Sequence, residues 1–356
     1  MIRKKLAFAT ASLTVALFSV LLLVYEREVG ETIHDTLSIF VCHVLPSLFP
    51  FMVLSRLTVS IGLLDPLSRV LRLHRPFRLP NAASSVILTG LLCGFPIGAL
   101  GVCTLYENGE LDYDEAGRLA ALASNTGPAF LLGTVSSLWA SKTYGVFLYV
   151  LQLLSALLIA YATARITSGR VRKARHSTAL PSECGRRIRV GDSSFSAELC
   201  SAISESASAC LAVCAYIVFF RTVAVLLGHI FTKASFLSVL LELSSGCLEG
   251  ARVGGSVGCF MTGLSVGAAG LSVMLQNYSF LGRYELPMKY LLVTKIIQGL
   301  FCGGASVLFC RIFPQLLNGG GAKDVFGEVT SGEFAPLSML IALLLLARLV
   351  GKQQCR

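Results

Sequence analysis

Long apolar runs alternate with short polar segments along the chain. Residues 6–24 include 19 consecutive positions without a charge, and a helix of that length is about 28 Å long, close to the thickness of a hydrocarbon core. Such runs predict membrane-spanning helices, and their number predicts an all-α, polytopic membrane protein with about seven of them. The other predicted spans cover 36–64, 113–140, 143–165, 205–231, 287–313 and 334–347.

The composition is that of a protein whose surface faces lipid. Only 14% of the 356 residues are charged and 54% are hydrophobic, whereas soluble domains carry about 25% charged residues. The net charge of +10 is concentrated in two basic segments, 69–78 and 165–189. Both nucleic-acid binding and a cytoplasmic position beside anionic lipid account for such segments. Because both segments lie between apolar runs, we predict the lipid bilayer as the partner and no nucleic acid.

The N-terminal apolar run has two interpretations. Arg3, Lys4 and Lys5 precede it, as basic residues precede the apolar region of a signal peptide. The run is longer than that region usually is, and no small-x-small cleavage pattern precedes Glu26. A retained transmembrane helix is therefore the favoured interpretation.

The sequence lacks the patterns of an enzyme, a metal site or a cofactor site. The twelve cysteines form no C-x-x-C pair, and most lie in apolar runs, as small buried side chains do. The five histidines are scattered, and no nucleophile–base pair is evident. The glycine-rich stretches are not followed by Gly-Lys-Ser/Thr, which a phosphate-binding loop requires. We predict a non-enzymatic protein without metal or cofactor.

An internal similarity relates the two halves of the chain. Residues 88–94 read Leu-Thr-Gly-Leu-Leu-Cys-Gly, and residues 261–267 read Met-Thr-Gly-Leu-Ser-Val-Gly. The offset is 262 − 89 = 173 residues, and it also pairs Asn125 with Gln298. Paired halves with glycine-interrupted apolar segments are typical of transporters built from internal repeats.

The basic segments predict how the halves are oriented. If the broken apolar segment 82–107 dips into the membrane and returns, the basic loop at 165–189 lies inside with the N-terminus, as the positive-inside rule requires. Its counterpart at 252–276 is then a second re-entrant hairpin, and the two repeats are inverted. Lys352 and Arg356 would lie outside under this arrangement, which leaves the span count open.

These features divide the chain into five parts. Residues 193–208 carry apolar side chains at helical spacing and predict an interfacial helix before the next span. The parts are an N-terminal transmembrane helix (1–30), a first repeat (31–165), a basic cytoplasmic linker (166–192), a second repeat (193–313) and a C-terminal transmembrane helix with its tail (314–356).

The first candidate solute site is Gly94-Phe95-Pro96-Ile97-Gly98. Proline and two glycines interrupt a helix, and backbone groups freed in hydrocarbon are tolerated only where protein or a water-filled cavity covers them. Such groups are available to bind a solute. A simple proline kink in a spanning helix is the alternative.

The second candidate site is Ser124-Asn125-Thr126-Gly127-Pro128. Asn125 and Thr126 are predicted to cap a helix that begins at Pro128, because both residue types favour that position. A helix N-terminus in a low-dielectric site attracts anions. A capped helix at the membrane surface, without a ligand, is the alternative.

The third candidate site lies in the second half. Its small and polar residues also suit close helix packing, and lysine in a span often reaches the interface instead of a ligand. Arg221, Glu242 and Glu249 are further charged positions, the two glutamates either binding a coupling cation or forming a solvated rim. The candidate residues are Gly267, Gly270, Ser272, Gln276, Lys295 and Gln298.

Four segments give the chain a family resemblance. It resembles the YlbJ-like sporulation integral membrane proteins, which carry nucleoside-recognition gate domains. The resemblance covers roughly residues 40–310. The segments are Pro46-Ser47-Leu48-Phe49-Pro50-Phe51, Gly94-Phe95-Pro96-Ile97-Gly98-Ala99, Ser124-Asn125-Thr126-Gly127-Pro128 and Gly270-Leu271-Ser272-Val273.

The resemblance implies a role in a membrane around the developing spore, as a carrier for dipicolinate. Gate domains are similar to parts of concentrative nucleoside transporters, whose re-entrant hairpins and broken helices hold the solute. The chain departs from the expected pattern at Ala268-Ala269. We therefore predict a secondary transporter of a small anion in the cell membrane or a spore-surrounding membrane. A carrier of nucleosides or other small polar metabolites and a non-transporting membrane scaffold are the alternatives, and a coupling ion and a homo-oligomer are left open.

Overall fold

A computed structural model describes residues 2–61, 65–166, 195–229 and 234–316. This part of the chain contains helices and no strands, which confirms the all-α class. The helices are α1 (Ile2–Val24), α2 (Glu26–Ile39), α3 (Leu45–Ser60), α4 (Asp65–Leu71), α5 (Ala83–Cys93), α6 (Ile97–Glu107), α7 (Tyr113–Ala123), α8 (Ser136–Leu138), α9 (Lys142–Ile166), α10 (Phe195–Gly228), α11 (Ala234–Leu241), α12 (Leu243–Val253), α13 (Gly255–Ala268), α14 (Gly270–Leu281) and α15 (Met288–Ile312), with π-helical turns at Phe40–Val44 and Ala129–Val135.

The described helices include four that are long and apolar enough to cross a membrane. They are α9, α10, the segment Gly255–Tyr284 and α15. A fifth is present if Phe8–Val24 and Glu26–Cys42, which meet at 89°, form one bent span. The protein is a multi-pass integral membrane protein. The predicted span at 334–347 and the linker at 166–192 lie outside the described residues.

Two predicted boundaries differ from the observed ones. The predicted interfacial helix at 193–208 is the beginning of α10, which runs unbroken over 34 residues, about 51 Å. The predicted span 113–140 consists of α7, a non-helical break at 124–127 and a π-helical turn that leads into α8. In both cases the apolar pattern indicates helix correctly, while the position of the breaks depends on contacts with other segments.

Helices α5 and α6 form an antiparallel hairpin. The chain turns at residues 94–96, and Gly94 has a φ of +73°, which favours glycine. A Cβ atom added at Gly101 would lie 3.1 Å from a methyl group of Val86. Residues 15 positions apart touch in this way only if the second helix folds back on the first, as the sequence predicts for 82–107.

The second hairpin lies earlier in the chain than predicted. Helices α12 and α13 fold back on each other at Gly254 and Gly255, where φ is +66° and +56°. A Cβ atom added at Gly250 would lie 2.7 Å from the carbonyl oxygen of Gly258. The predicted hairpin at 252–276 is wrong, because Gly255–Tyr284 forms one candidate span of 30 residues. Ala269 and Gly270, at φ +63° and +71°, interrupt the helix, but Gly255–Tyr284 still runs as one candidate span.

The 173-residue offset also pairs α7 and the break after it with α15. These two segments run side by side in the same direction. A Cβ atom added at Gly117 of α7 would lie 2.7 Å from the ring of Tyr290, 173 residues later in α15. Eight residues further on in each segment, Asn125 of the break accepts a hydrogen bond from Gln298 of α15 at 3.3 Å. This parallel course is the opposite of what an inverted repeat predicts for these segments.

The second hairpin is fixed to α8 and α9 by two buried aromatic residues. Trp139 is 1% exposed and donates its indole N–H to the hydroxyl of Thr262 at 3.1 Å. Tyr144 donates its hydroxyl to the carbonyl oxygen of Cys259 at 3.3 Å. A buried donor without a partner costs about 1–3 kcal/mol, so these contacts select one position of the hairpin.

Replacing Thr262 with valine is expected to lower the free energy of unfolding by about 1–3 kcal/mol, because it leaves the N–H of Trp139 without an acceptor. The midpoint of thermal unfolding in detergent measures the change. Thr262→Ser keeps the hydroxyl and should unfold close to the wild type. Equal midpoints for the two variants would show that this hydrogen bond does not stabilise the hairpin.

Candidate functional site

An internal cavity lies where the interrupted helices meet. It has a volume of about 50 Å³ and is bounded by the α5–α6 turn, the break after α7, the start of α12 and the middle of α14. Helices α3 and α10 close its other side with apolar residues. Its polar wall residues are Thr126, Glu242, Ser244 and Gln276, and its apolar wall includes Leu48, Phe51, Met52, Phe95, Phe130, Ile217 and Val273.

The α5–α6 turn packs against the break through main-chain atoms. The N–H of Phe95 donates to the carbonyl oxygen of Asn125 at 2.9 Å. A Cβ atom added at Gly94 would lie 2.6 Å from that oxygen and 2.6 Å from the N–H nitrogen of Gly127. A Cβ atom added at Gly98 would be closer still to its neighbour, 2.2 Å from the carbonyl oxygen of Ala123. The first and second candidate sites therefore form one structure, and Phe95, Pro96, Thr126 and Gly127 line the cavity.

The capping predicted at the break is wrong. Asn125 donates its side-chain amide backward to the carbonyl oxygen of Leu122 at 2.6 Å, so it satisfies the end of α7. No side chain caps the turn that begins after Pro128. The hydroxyl of Thr126 is buried without a hydrogen-bond partner, and Thr126 lines the cavity. The break therefore contains a buried polar group without a partner in a residue of the cavity wall.

A buried network joins the break to α15. Lys295 is 1% exposed and donates to the side-chain oxygen of Gln298 at 2.7 Å, with the side-chain oxygen of Asn125 at 3.5 Å. Gln298 donates to that same oxygen and, at 2.9 Å, to the carbonyl oxygen of Gln152. The sequence-predicted residues Asn125, Lys295 and Gln298 are thus brought together directly behind the cavity wall.

Lys295 has no acidic partner among the described residues. The ion pairs of that part of the chain lie elsewhere, most of them at exposed or half-exposed side chains. An ammonium group taken out of water costs several kcal/mol unless an opposite charge compensates it. Amide oxygens satisfy its hydrogen bonds but leave its charge uncompensated.

Two members of the network are missed by the sequence-based selection. Gln152 is fully buried in α9 and donates to the carbonyl oxygen of Thr126 at 3.1 Å. Asn277 in α14 accepts from the hydroxyl of Ser124 at 3.0 Å. Gln152 carries the signal that identifies Gln298, an amide side chain within an apolar span. Asn277 follows Gln276 directly and becomes distinguishable only when the helix face is known.

The candidates of the second half occupy different positions around the site. Gln276 lines the cavity and donates to the hydroxyl of Ser272 at 3.3 Å. Gly270 lies against the backbone of Glu242, and a Cβ atom there would be 3.1 Å from its nitrogen. A Cβ atom at Gly267 would lie 2.5 Å from the carbonyl oxygen of Gln298. Gly267 thus packs against the carbonyl oxygen of Gln298, as Gly94 packs against that of Asn125. The 173-residue offset relates the two glycines to each other and the two amide residues to each other.

The two candidate glutamates, Glu242 and Glu249, lie in different surroundings. Glu249 pairs with Arg252 at 2.8 Å, and both side chains are partly exposed. Glu242 is 2% exposed, lines the cavity and caps α12, accepting the N–H groups of Ser244 at 2.8 Å and Ser245 at 2.6 Å. Of the two, only Glu242 belongs to the candidate site.

Comparison with known proteins gives one partial similarity. A stretch of 100 residues is 33% identical to the sporulation integral membrane protein YlbJ of Bacillus subtilis (strain 168). The similarity covers 26% of this chain and 23% of the relative, so the match spans about a quarter of the relative's length. No family model matches the chain. No solved structure matches it either.

Proposed function

We propose that this protein is a secondary carrier of a small anion, with dipicolinate as the first candidate. The observation that supports it is Lys295, a fully buried amine without an acidic partner in the described residues, set beside a helix break that borders a cavity. An anionic solute favours the charged ammonium form of this side chain. A secondary carrier uses a gradient of an ion or a solute across the membrane, and we propose such a gradient as the driving force.

The chemistry of the cavity region suits a carboxylate-bearing ring. Thr126 supplies an unpaired hydroxyl and Gln276 an amide, while Phe51, Phe95 and Phe130 supply apolar faces. Apolar walls with a few placed polar groups are typical of small-molecule sites. Dipicolinate, a pyridine ring with two carboxylates, matches both parts.

The cavity is smaller than the proposed solute. A volume of about 50 Å³ holds only a few waters, whereas ligand pockets measure about 300–1,000 Å³. The cavity must therefore widen for the proposed solute to bind, as a carrier site does when it opens to one side of the membrane.

The partial similarity supports the cellular setting. The relative's name places it in sporulation and in a membrane. We propose the same setting for this chain, in a membrane around the developing spore. Dipicolinate accumulates inside the spore.

Uptake of labelled dipicolinate into proteoliposomes tests the proposal, with nucleosides as competitors. Asn125→Ala is expected to reduce uptake at least about tenfold, because it removes an oxygen beside Lys295 and a buried hydrogen bond worth about 1–3 kcal/mol. Asn108→Ala, at an exposed loop position, is the matched control and should transport normally.

The outcomes separate the three candidate functions. Uptake of dipicolinate that nucleosides do not inhibit supports the anion carrier. Uptake of a nucleoside in preference to dipicolinate would favour the metabolite carrier. A wild-type protein that reconstitutes correctly and moves neither solute would favour the scaffold.

A further inference from the structure

We propose that Glu242 couples the carrier to a proton gradient, taking up one proton when the anionic solute binds and releasing it when the solute leaves. This inference rests on the proposed function. It assigns to the same cavity the ion that drives transport, and it makes the carrier a proton–anion symporter.

Glu242 lies in the cavity wall. It is 2% exposed and lines the cavity together with Ser244 and with Thr126 of the break. Gly270 leaves room for its backbone, since a Cβ atom there would approach the Glu242 nitrogen to 3.1 Å. The carboxylate is therefore a built part of the site and not a surface acid.

The hydrogen bonds of Glu242 leave a place for a proton. Each carboxylate oxygen accepts one backbone N–H, from Ser244 at 2.8 Å and from Ser245 at 2.6 Å. Burial of the carboxyl group opposes its ionisation, and these bonds offset part of that opposition. The hydroxyl groups of Ser244 and Ser245 also lie beside the carboxyl group. A hydroxyl can turn from donor to acceptor, so the group can hold one proton.

The other charges near Glu242 do not neutralise it. Arg221 of α10 interacts with it electrostatically, without an ion pair within 4.0 Å, and also interacts with Asp35, Glu249 and Arg252. Cys247 of α12 also interacts with Glu242. A second negative charge entering the cavity therefore meets Glu242 directly.

The charge balance predicts the direction of coupling. With Lys295 protonated and Glu242 ionised, the empty site carries no net charge from this pair, and a bound dianion brings the total to −2. Uptake of one proton by Glu242 from the aqueous phase on the open side lowers this to −1. Since like charges oppose each other in a low dielectric, solute binding favours proton uptake, and by reciprocity proton uptake favours solute binding. When the site opens to the other side, both leave together.

The test compares Glu242→Gln with the wild type in proteoliposomes, with the membrane potential clamped at zero. The wild type should accumulate labelled dipicolinate about tenfold for each unit of pH difference, as one proton per solute requires. Glu242→Gln mimics the protonated side chain. It should show no accumulation driven by the pH difference, and the dipicolinate exchange that remains at equal pH should no longer depend on pH.

Glu249→Gln, seven residues further along α12 at a partly exposed position, is the control and should accumulate like the wild type. If wild-type uptake does not depend on the pH difference, or depends on a sodium gradient instead, the proton is not the coupling ion. This outcome needs only the wild-type protein. Accumulation retained by Glu242→Gln would overturn the assignment to this residue. Absence of dipicolinate exchange by the wild type would instead refute the proposed function, and the coupling with it.

Discussion

Replacing Lys295 with methionine is expected to reduce dipicolinate transport by a factor of about 30 or more, while the protein becomes no less stable. Removing one partner of a buried charge pair costs about 2–5 kcal/mol of binding. In the empty protein the same ammonium group is buried without an acidic partner in the described residues. Methionine has a similar length and no charge, so it removes a desolvation penalty. Uptake assays and thermal unfolding in detergent measure the two effects.

Lys289→Met is the matched control for this substitution. Lys289 lies on the same helix, its side chain is 58% exposed, and its Nζ is 3.8 Å from a carboxylate oxygen of Asp114. It should leave transport nearly unchanged. A Lys295→Met protein that transports within about threefold of the wild type would show that the anion does not use this charge.

Replacing Gly94 with alanine is expected to destabilise the protein by about 3 kcal/mol or more and to abolish transport. Its backbone, at φ +73° and ψ −163°, occupies a region that is almost exclusive to glycine and costs other residues about 1–3 kcal/mol. The new methyl group would also lie 2.6 Å from two main-chain atoms of the break, and such overpacking costs about 1–3 kcal/mol more. Thermal unfolding and the folded yield in detergent measure the loss.

Gly109→Ala separates backbone strain from overpacking. Gly109 also has a positive φ, +71°, but an added Cβ atom would meet nothing within 4 Å. It should lose only about 1–2 kcal/mol. If both variants unfold at the same temperature, the turn at 94–96 does not pack on the break as tightly as described.

The long spanning helices are predictable because their apolar sequence alone determines that they are helical and where they end. The predicted spans 143–165 and 287–313 match α9 (Lys142–Ile166) and α15 (Met288–Ile312) to within one residue. Continuous apolar runs of this length have one stable form in a bilayer, since every backbone group must be satisfied within the segment.

The second hairpin is not predictable in the same way. Gly254, Gly255 and Gly270 all have positive φ, and the sequence between them contains further glycines. Whether such a glycine reverses the chain or only kinks it depends on what packs beside it. At Gly254 the two arms pack on each other, whereas Gly270 packs on the backbone of Glu242.

The candidate site is predictable where polar residues interrupt an apolar run. Asn125, Lys295 and Gln298 stand out for that reason, and the structure brings them together. The direction of their hydrogen bonds does not follow from sequence. Asn125 has the residue type of a helix start, yet its side-chain amide donates backward to the carbonyl oxygen of Leu122, and its side-chain oxygen accepts from Lys295 and Gln298.

The main-chain contact between the α5–α6 turn and the break determines which parts of the protein are free to separate. No side chain lies between Phe95 and Asn125 along this contact, so no rotamer change loosens it. Helices α3 and α10, by contrast, share small apolar clusters of their own, such as Val53 and Leu57 with Ala202. The turn and the break should therefore travel as one rigid body, and a solute should enter where that body slides past the α3–α10 pair.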